Sequence, residues 1–216
     1  MNNKVKAVIF DLDGVVTDTA EYHYQSWKLP LKEEGIDFSK KDNEKLRGLS
    51  RRVSVKTIAQ TKEIDFSREK ENEIMKKKND YYNEMIVDLD KSDMINGIHE
   101  ILLDLKNKNY KLAVASASCN AKKVIKSLEL NHFFEIVADG NSVNKSKPAP
   151  DLFLFTANNL GVPAKHCLVI EDSKAGVIGA KKAGMKVVGI GPEDRIGKAD
   201  YCYEKISDIN LDEILL

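Results

Sequence analysis

The 216-residue chain carries 34 Lys+Arg against 34 Asp+Glu, a formal net charge of zero, and 42% hydrophobic residues. That apolar content supports a real core and excludes a disordered chain, and the length suits one large domain or a domain with an insertion. The charge balance excludes a general nucleic-acid or anionic-membrane binder, which needs a basic excess, although a small anionic ligand requires only a few local cations.

The N-terminal Met1-Asn2-Asn3-Lys4 runs into an apolar segment without a signal-peptide core. Nowhere does the chain approach the roughly 18 consecutive apolar residues of a membrane helix. A cytoplasmic location is expected. Cys119, Cys167 and Cys202 are few and widely spaced, which suits reduced thiols and not a disulfide framework or zinc site. Cys167 and Cys202 read as small buried hydrophobes.

Val5–Phe10 is a short β-rich run that ends in Asp11-Leu12-Asp13-Gly14. Similar runs occur at Lys111–Ala115, Cys167–Ile170 and Lys186–Ile190. Near-continuous apolar strands without alternation indicate burial on both faces, as in a parallel sheet. Helical faces lie between them: Ile98, Ile101, Leu102 and Leu105; Val124, Ile125 and Leu128; and Ala175, Ile178 and Ala183, with Gly184 as a stop. This alternation predicts an α/β fold, a doubly wound parallel sheet of Rossmann-like form.

Residues 17–89 break the rhythm. They hold no convincing strand but several helix signals, including Ser50 and Ser67 as N-caps. The last of these helices carries Ile74, Tyr81, Met85 and Leu89 on one stripe. The block reads as an inserted helical cap over a core formed by residues 1–16 and 90–216. Of Lys76-Lys77-Lys78, only Lys78 falls on the apolar stripe at about 100° per residue. It is either a snorkelling lysine or a cation aimed from the cap into a cleft.

Ligands in open α/β sheets sit at the carboxyl ends of the strands. The residues just beyond three of the predicted strands are Asp11 and Asp13, Ser116 and Ser118, and Glu171 with Asp172. Clustered carboxylates repel one another unless a cation neutralises them, and all-oxygen ligands favour Mg²⁺. Lys147 adds a cation on a Pro-stiffened loop. Carboxylates, a hard metal, a lysine and a serine suit phosphoryl transfer, where positioning and charge neutralisation dominate. Taken singly, each has a plainer reading: a solvated turn for Asp-x-Asp, a helix cap for Asp172 or Ser173, an exposed lysine. Their joint placement after successive strands favours a site. No P-loop, Gly-x-Ser-x-Gly elbow or zinc-protease helix is present, and Gly189-Ile190-Gly191 lacks the third glycine of a dinucleotide fingerprint.

Phe10-Asp11-Leu12-Asp13-Gly14-Val15, Ser116, Lys147-Pro148 and Glu171-Asp172 together resemble the four motifs of the haloacid dehalogenase superfamily, in the same order and across essentially the whole chain. A closer likeness is to the β-phosphoglucomutase group within it. Thr17-Asp18-Thr19-Ala20-Glu21-Tyr22-His23 with Trp27, Asn43 through Arg51, Lys78-Asn79-Asp80 and Ser116 through Asn120 carry that likeness. Two positions depart from it: Arg47 stands where lysine is expected, and Cys119 where a basic residue is.

The resemblance implies Asp11 as nucleophile and Asp13 as general acid/base. It implies Mg²⁺ on Asp11, the Asp13 main-chain carbonyl and Asp172, with Glu171 nearby. Ser116, Ala117 and Lys147 would hold the transferring phosphoryl group. Arg51 would grip the other phosphate, and Thr19, His23, Trp27, Arg47, Gly48, Lys78, Ser118 and Asn120 would complete the sugar-phosphate site. The implied reaction interconverts β-glucose 1-phosphate and glucose 6-phosphate through a bound β-glucose 1,6-bisphosphate, in a monomer with no nucleic-acid or membrane partner. A sugar-phosphate phosphatase of the same superfamily is the alternative. A receiver-type signalling module shares phospho-aspartate chemistry, but it expects adjacent acids after the first strand and gives no reason for a long insertion.

Overall fold

The computed structural model describes residues 4–215; the expectation for Met1, Asn2 and Asn3 falls outside them. Strand β1 (Ala7–Phe10) starts the chain. Four helices follow: α1 (Ala20–Glu33), α2 (Lys40–Glu44), α3 (Arg51–Lys62) and α4 (Arg68–Met85). The remainder alternates: α5 (Ile98–Asn107), β2 (Lys111–Ala115), α6 (Ala121–Ser127), β3 (Ile136–Ala138), α7 (Asp151–Leu160), β4 (Cys167–Glu171), α8 (Lys174–Lys182), β5 (Lys186–Ile190), α9 (Glu193–Ile196), β6 (Tyr201–Tyr203) and α10 (Leu211–Ile214).

The six strands are all parallel in the order β3-β2-β1-β4-β5-β6, a doubly wound α/β sheet. Successive side chains of β1 leave opposite faces. Val8 and Phe10 join one buried cluster with α5 and α6, while Ala7 and Ile9 join another with α7 and α8. This two-sided burial is why the strands read as unbroken apolar runs. Strand order reverses beside β1, so the crevice for a ligand opens at the ends of β1 and β4.

Helices α1 to α4 have an apolar cluster of their own, centred on Trp27, Leu31, Phe38, Val55, Ile58 and Ile74. Ser50 and Ser67 cap α3 and α4 by accepting from the Val53 and Lys70 amides. The chain leaves and re-enters the sheet side by side: Thr17 bridges to Met94, and its hydroxyl donates to the Asp93 carbonyl at 2.7 Å. Tyr82, Ile86 and Leu89 turn away from the helical cluster and pack with the sheet.

Several sequence expectations are corrected. Strand β1 begins at Ala7, because the Lys6 amide already bonds the His166 carbonyl outside the β1–β4 register. β3 and β6, three residues each at the sheet edges, carry too little pattern to be foreseen. Helix α8 buries Gly176, Val177, Gly179 and Ala180, with Ile178 exposed and Ala175 only partly covered. Gly176 sets that face: a Cβ there would lie 1.8 Å from Glu171 Oε1. On α4 the buried residues are Ile74, Met75, Lys78 and Tyr82, with Tyr81 and Met85 half-exposed, since Tyr81 reaches out to Glu33. Cys202 is exposed on edge strand β6, whereas Cys167 is buried as expected. Among the described residues no helix is long and apolar enough to cross a membrane.

Candidate active site

The carboxyl ends of β1 and β4 bring three buried acids together. Asp11 follows β1 with its amide bonded to the Ile170 carbonyl, Glu171 ends β4, and Asp172 comes next. Lys147, fully buried, donates to Asp11 Oδ1 at 2.7 Å and also to Glu171 Oε1. Burial opposes the ammonium, but the two carboxylates outweigh it and hold its pKa above the usual lysine range. Burial, reinforced by the Glu171 charge, pushes Asp11 well above the ordinary carboxylate range despite Lys147. Asp172 is pushed up to about 7, by burial first, with Arg47 pulling it down and Glu171 pushing it up. Glu171 Oε2 is fixed by the Ser173 amide and hydroxyl, at 3.0 and 2.8 Å, while Ser173 also caps α8.

Each of Asp11, Glu171 and Asp172 offers an oxygen within 4.8 Å of the others. Asp172 Oδ1 is buried without a hydrogen-bond partner. A buried, oxygen-only donor set with an unpaired carboxylate oxygen fits a hard divalent cation such as Mg²⁺. Gly14, at φ +90°, permits the close packing here, since a Cβ would lie 2.0 Å from Asp172 Oδ2.

Asp13 faces a second group. Its Oδ1 accepts from the Thr19 hydroxyl and meets His23 Nε2 at 3.2 Å, and its Oδ2 accepts from Ser116 Oγ at 3.3 Å. Burial would raise its pKa, but His23 and the Thr19 hydrogen bond outweigh that and hold it at about 2. Thr19 occupies the N-cap position of α1, yet its hydroxyl serves Asp13 and not the helix. Lys78 Nζ lies 3.0 Å from His23 Nδ1, and the His23 ring stacks on Tyr82 at 4.5 Å. An ammonium donating to Nδ1 leaves the His23 proton on Nε2, directed at Asp13. Burial, then repulsion from Arg51, lowers the Lys78 pKa to about 7. Lys78 is buried and lines the cavity, so it does not snorkel to solvent.

Asp11 and Asp13 form part of a cavity wall completed by the helical block. His23, Trp27 and Lys78 line it from helices, Gly48 from the turn between α2 and α3, and Ala117, Ser118 and Asn120 from the loop after β2. Arg47 and Arg51 line it too, in different company. Arg47 is held by Glu44 through Nε and Nη2, at 3.1 and 2.7 Å, and donates Nη1 to Asp172 Oδ2 at 2.7 Å. Arg51 donates to Asn79 Oδ1 at 2.7 Å and to the Met75 carbonyl at 3.5 Å. Thr19, Ser116, Lys147 and Asp172 are buried and hydrogen-bond to the lining residues Asp13, Asp11 and Arg47, and Glu171 is buried against Lys147.

Asn43, Leu46 and Leu49, from the stretch that carries the closer likeness, also line the cavity, as does Ser54, which sequence reasoning did not single out. Ser54 lies three residues past Arg51, on the same helical face, and that spacing was the available signal. Cys119 also lines the cavity.

The profile of the family described as haloacid dehalogenase-like hydrolase matches residues 8–190. The chain belongs to this family. This haloacid dehalogenase-like chain is 40% identical over 213 residues to a β-phosphoglucomutase of Bacillus subtilis, covering 96% of this chain and 93% of that one. Its fold matches the crystal structure of a β-phosphoglucomutase from Clostridium difficile with a TM-score of 0.91 and 36% identity, covering 97% and 95% of the two chains. It is also 26% identical to a phosphorylated carbohydrates phosphatase of Thermotoga maritima, covering 98% and 97%. Both mutases and phosphatases of sugar phosphates thus stand among its enzyme relatives.

Proposed function

We propose that the protein is a β-phosphoglucomutase, interconverting β-D-glucose 1-phosphate and glucose 6-phosphate through a phosphorylated Asp11 and β-glucose 1,6-bisphosphate. The observation that carries the reading is a single cavity with phosphate-handling groups on two sides. Asp11, Lys147 and Ser116 gather on the sheet side, with Asn120 in the loop after β2, and Arg51 faces them from the helical block. A substrate that must present either of two phosphates to one nucleophile needs both. The likeness to mutases over nearly the whole chain points the same way.

In the proposed mechanism a carboxylate oxygen of Asp11 attacks phosphorus, a P–O bond to the sugar breaks, and Asp13 gives the departing sugar oxygen the proton it took from a sugar hydroxyl in the preceding transfer. In the return step the other sugar hydroxyl gives its proton to Asp13 and attacks the phosphoryl group, and the bond to Asp11 breaks. Asp13 is suited to the second role as it stands, because at a pKa of about 2 it is ionised at neutral pH. Thr19 and His23 hold its carboxylate in place, and Lys78 fixes the His23 tautomer. Lys147 and Ser116 would hold the transferring phosphoryl oxygens, with the Ala117 main chain beside them. Mg²⁺, held by Asp11, the Asp13 main-chain carbonyl and Asp172 with Glu171 adjacent, would neutralise phosphoryl charge. Residues 17–89 would act as a cap that excludes water, so that sugar and not water receives the phosphoryl group. Trp27, Arg47, Gly48 and Ser118 would shape the sugar-binding space.

A phosphatase would use the same Asp11 but deliver the phosphoryl group to water, and a curated relative of that activity makes it the second reading. A coupled dehydrogenase assay for glucose 6-phosphate, run beside free-phosphate measurement, separates the two. With Mg²⁺ and a bisphosphate primer, conversion of β-glucose 1-phosphate to glucose 6-phosphate with little phosphate release is expected. Stoichiometric phosphate release with little glucose 6-phosphate would overturn the mutase.

A further inference from the structure

We infer that Asn79 is a positioning residue: one neutral carboxamide oxygen that aims Arg51 and Asn120 together at the phosphate not being transferred, while leaving Arg51 its full charge. The inference rests on the reading of that side of the cavity as an anion site. Asn79 Oδ1 accepts from Arg51 Nη2 at 2.7 Å and from Asn120 Nδ2 at 3.1 Å. Arg51 opens α3, Asn79 lies on α4, and Asn120 precedes α6 on the sheet side. One atom therefore ties the helical block to the sheet through two donors that both line the cavity, while Asn79 itself stands outside the lining. The tie is buttressed one turn on, where Asn83 donates to the Asn79 carbonyl at 2.9 Å and accepts from Lys123 at 3.1 Å.

The chemistry of the acceptor decides the role. Arg47 is engaged by two carboxylates, Glu44 and Asp172. Arg51 forms no ion pair among the described residues; its acceptors, a carboxamide and a main-chain carbonyl, are both neutral. A part-buried guanidinium held this way is oriented but uncompensated, which is the state that favours a bidentate anion. Aspartate at position 79 would keep an oxygen in nearly the same place and add the missing counter-charge. A purely structural tie would tolerate that change, or gain from the new ion pair. An anion-positioning tie would not.

The test uses Asn79→Asp and Asn79→Ala in the full chain, with thermal unfolding and steady-state kinetics for β-glucose 1,6-bisphosphate and for acetyl phosphate, which has no second phosphate. For Asn79→Asp the KM for the bisphosphate rises about tenfold or more, the scale of one charge-assisted hydrogen bond. Over the same comparison kcat changes much less, the KM for acetyl phosphate rises less, and the melting temperature stays at or above wild type. Asn79→Ala raises the bisphosphate KM by a smaller factor. A bisphosphate KM near wild type in Asn79→Asp, a larger effect from alanine than from aspartate, or equal rises for both phosphates would each overturn the inference. If the wild type proves to hydrolyse the bisphosphate, the same order is read from phosphate release, so failure of the mutase reading and failure of the Asn79 inference remain distinct.

Discussion

On the sheet side of the cavity, Asp11 and Glu171 share the buried Lys147, and Asp172 takes Arg47. On the helical side, among the described residues, Arg51 and Lys78 have only neutral hydrogen-bond partners: Asn79 and a main-chain carbonyl for Arg51, and His23 for Lys78, whose Nζ also lies 4.3 Å from the Tyr82 ring. The difference teaches how a chain of zero net charge handles anions. Residues 17–89 hold 15 Lys+Arg and 15 Asp+Glu, so neither part of the chain is a charged platform. The polarity is local. Buried, paired charge marks the sheet side, while Arg51 and Lys78 facing it have no carboxylate partner among the described residues, which is what the proposed anion site calls for.

The largest expected effect comes from removing the nucleophile. Asp11→Asn lowers both glucose 6-phosphate formation and phosphate release by at least roughly 10³-fold. Turnover near wild type in the coupled assay would break the assignment of the reaction centre to the sheet. Lys147→Ala leaves Asp11 and Glu171 as unpaired buried acids and destabilises the fold by about 3–5 kcal/mol, read by urea unfolding. A loss well below 1 kcal/mol would mean that the sheet-side charges are not held as a pair.

Arg51→Ala probes the opposite side, where no carboxylate is stranded. Its stability loss is expected to be smaller than that of Lys147→Ala, and its main effect is a rise of about tenfold or more in the KM for the bisphosphate. An unchanged KM would remove Arg51 from the anion site. Lys78→Met gives the smallest effect, on pH dependence. The Lys78 pKa falls from 10.5 to about 7 on folding, so between those values the unfolded chain binds more protons. This contribution makes wild-type stability rise with pH across that window and leaves it flat below. The methionine variant loses that rise, and an unaltered stability–pH curve between pH 7 and 10 would refute the lowered Lys78 pKa.

Much of this was legible because the informative residues sit where strands end. Continuous apolar runs marked β1, β2, β4 and β5, and Asp11, Asp13, Ser116 and Glu171 follow or close three of them. The three-residue edge strands β3 and β6 were not legible, since a partly exposed edge carries neither a long run nor alternation. Helix α8 was misread for a different reason. Glycine has no side chain to register as apolar, so the face holding Gly176 and Gly179 looked empty while exposed Ile178 looked buried. Glu44, three residues before Arg47, stands at a spacing that can pair the two. Asn79 as the holder of Arg51 has no such signature, and its role comes from tertiary contact alone.

The fate of the phosphoryl group on Asp11 tests the central claim most directly. Protein labelled at Asp11 with radioactive acetyl phosphate in the presence of Mg²⁺ is chased with β-glucose 1-phosphate, and the label is followed. The two-sided cavity predicts that label passes rapidly into glucose bisphosphate and then glucose 6-phosphate, faster than it is lost to water without sugar. Release of the label as inorganic phosphate at the same rate with and without sugar would contradict it.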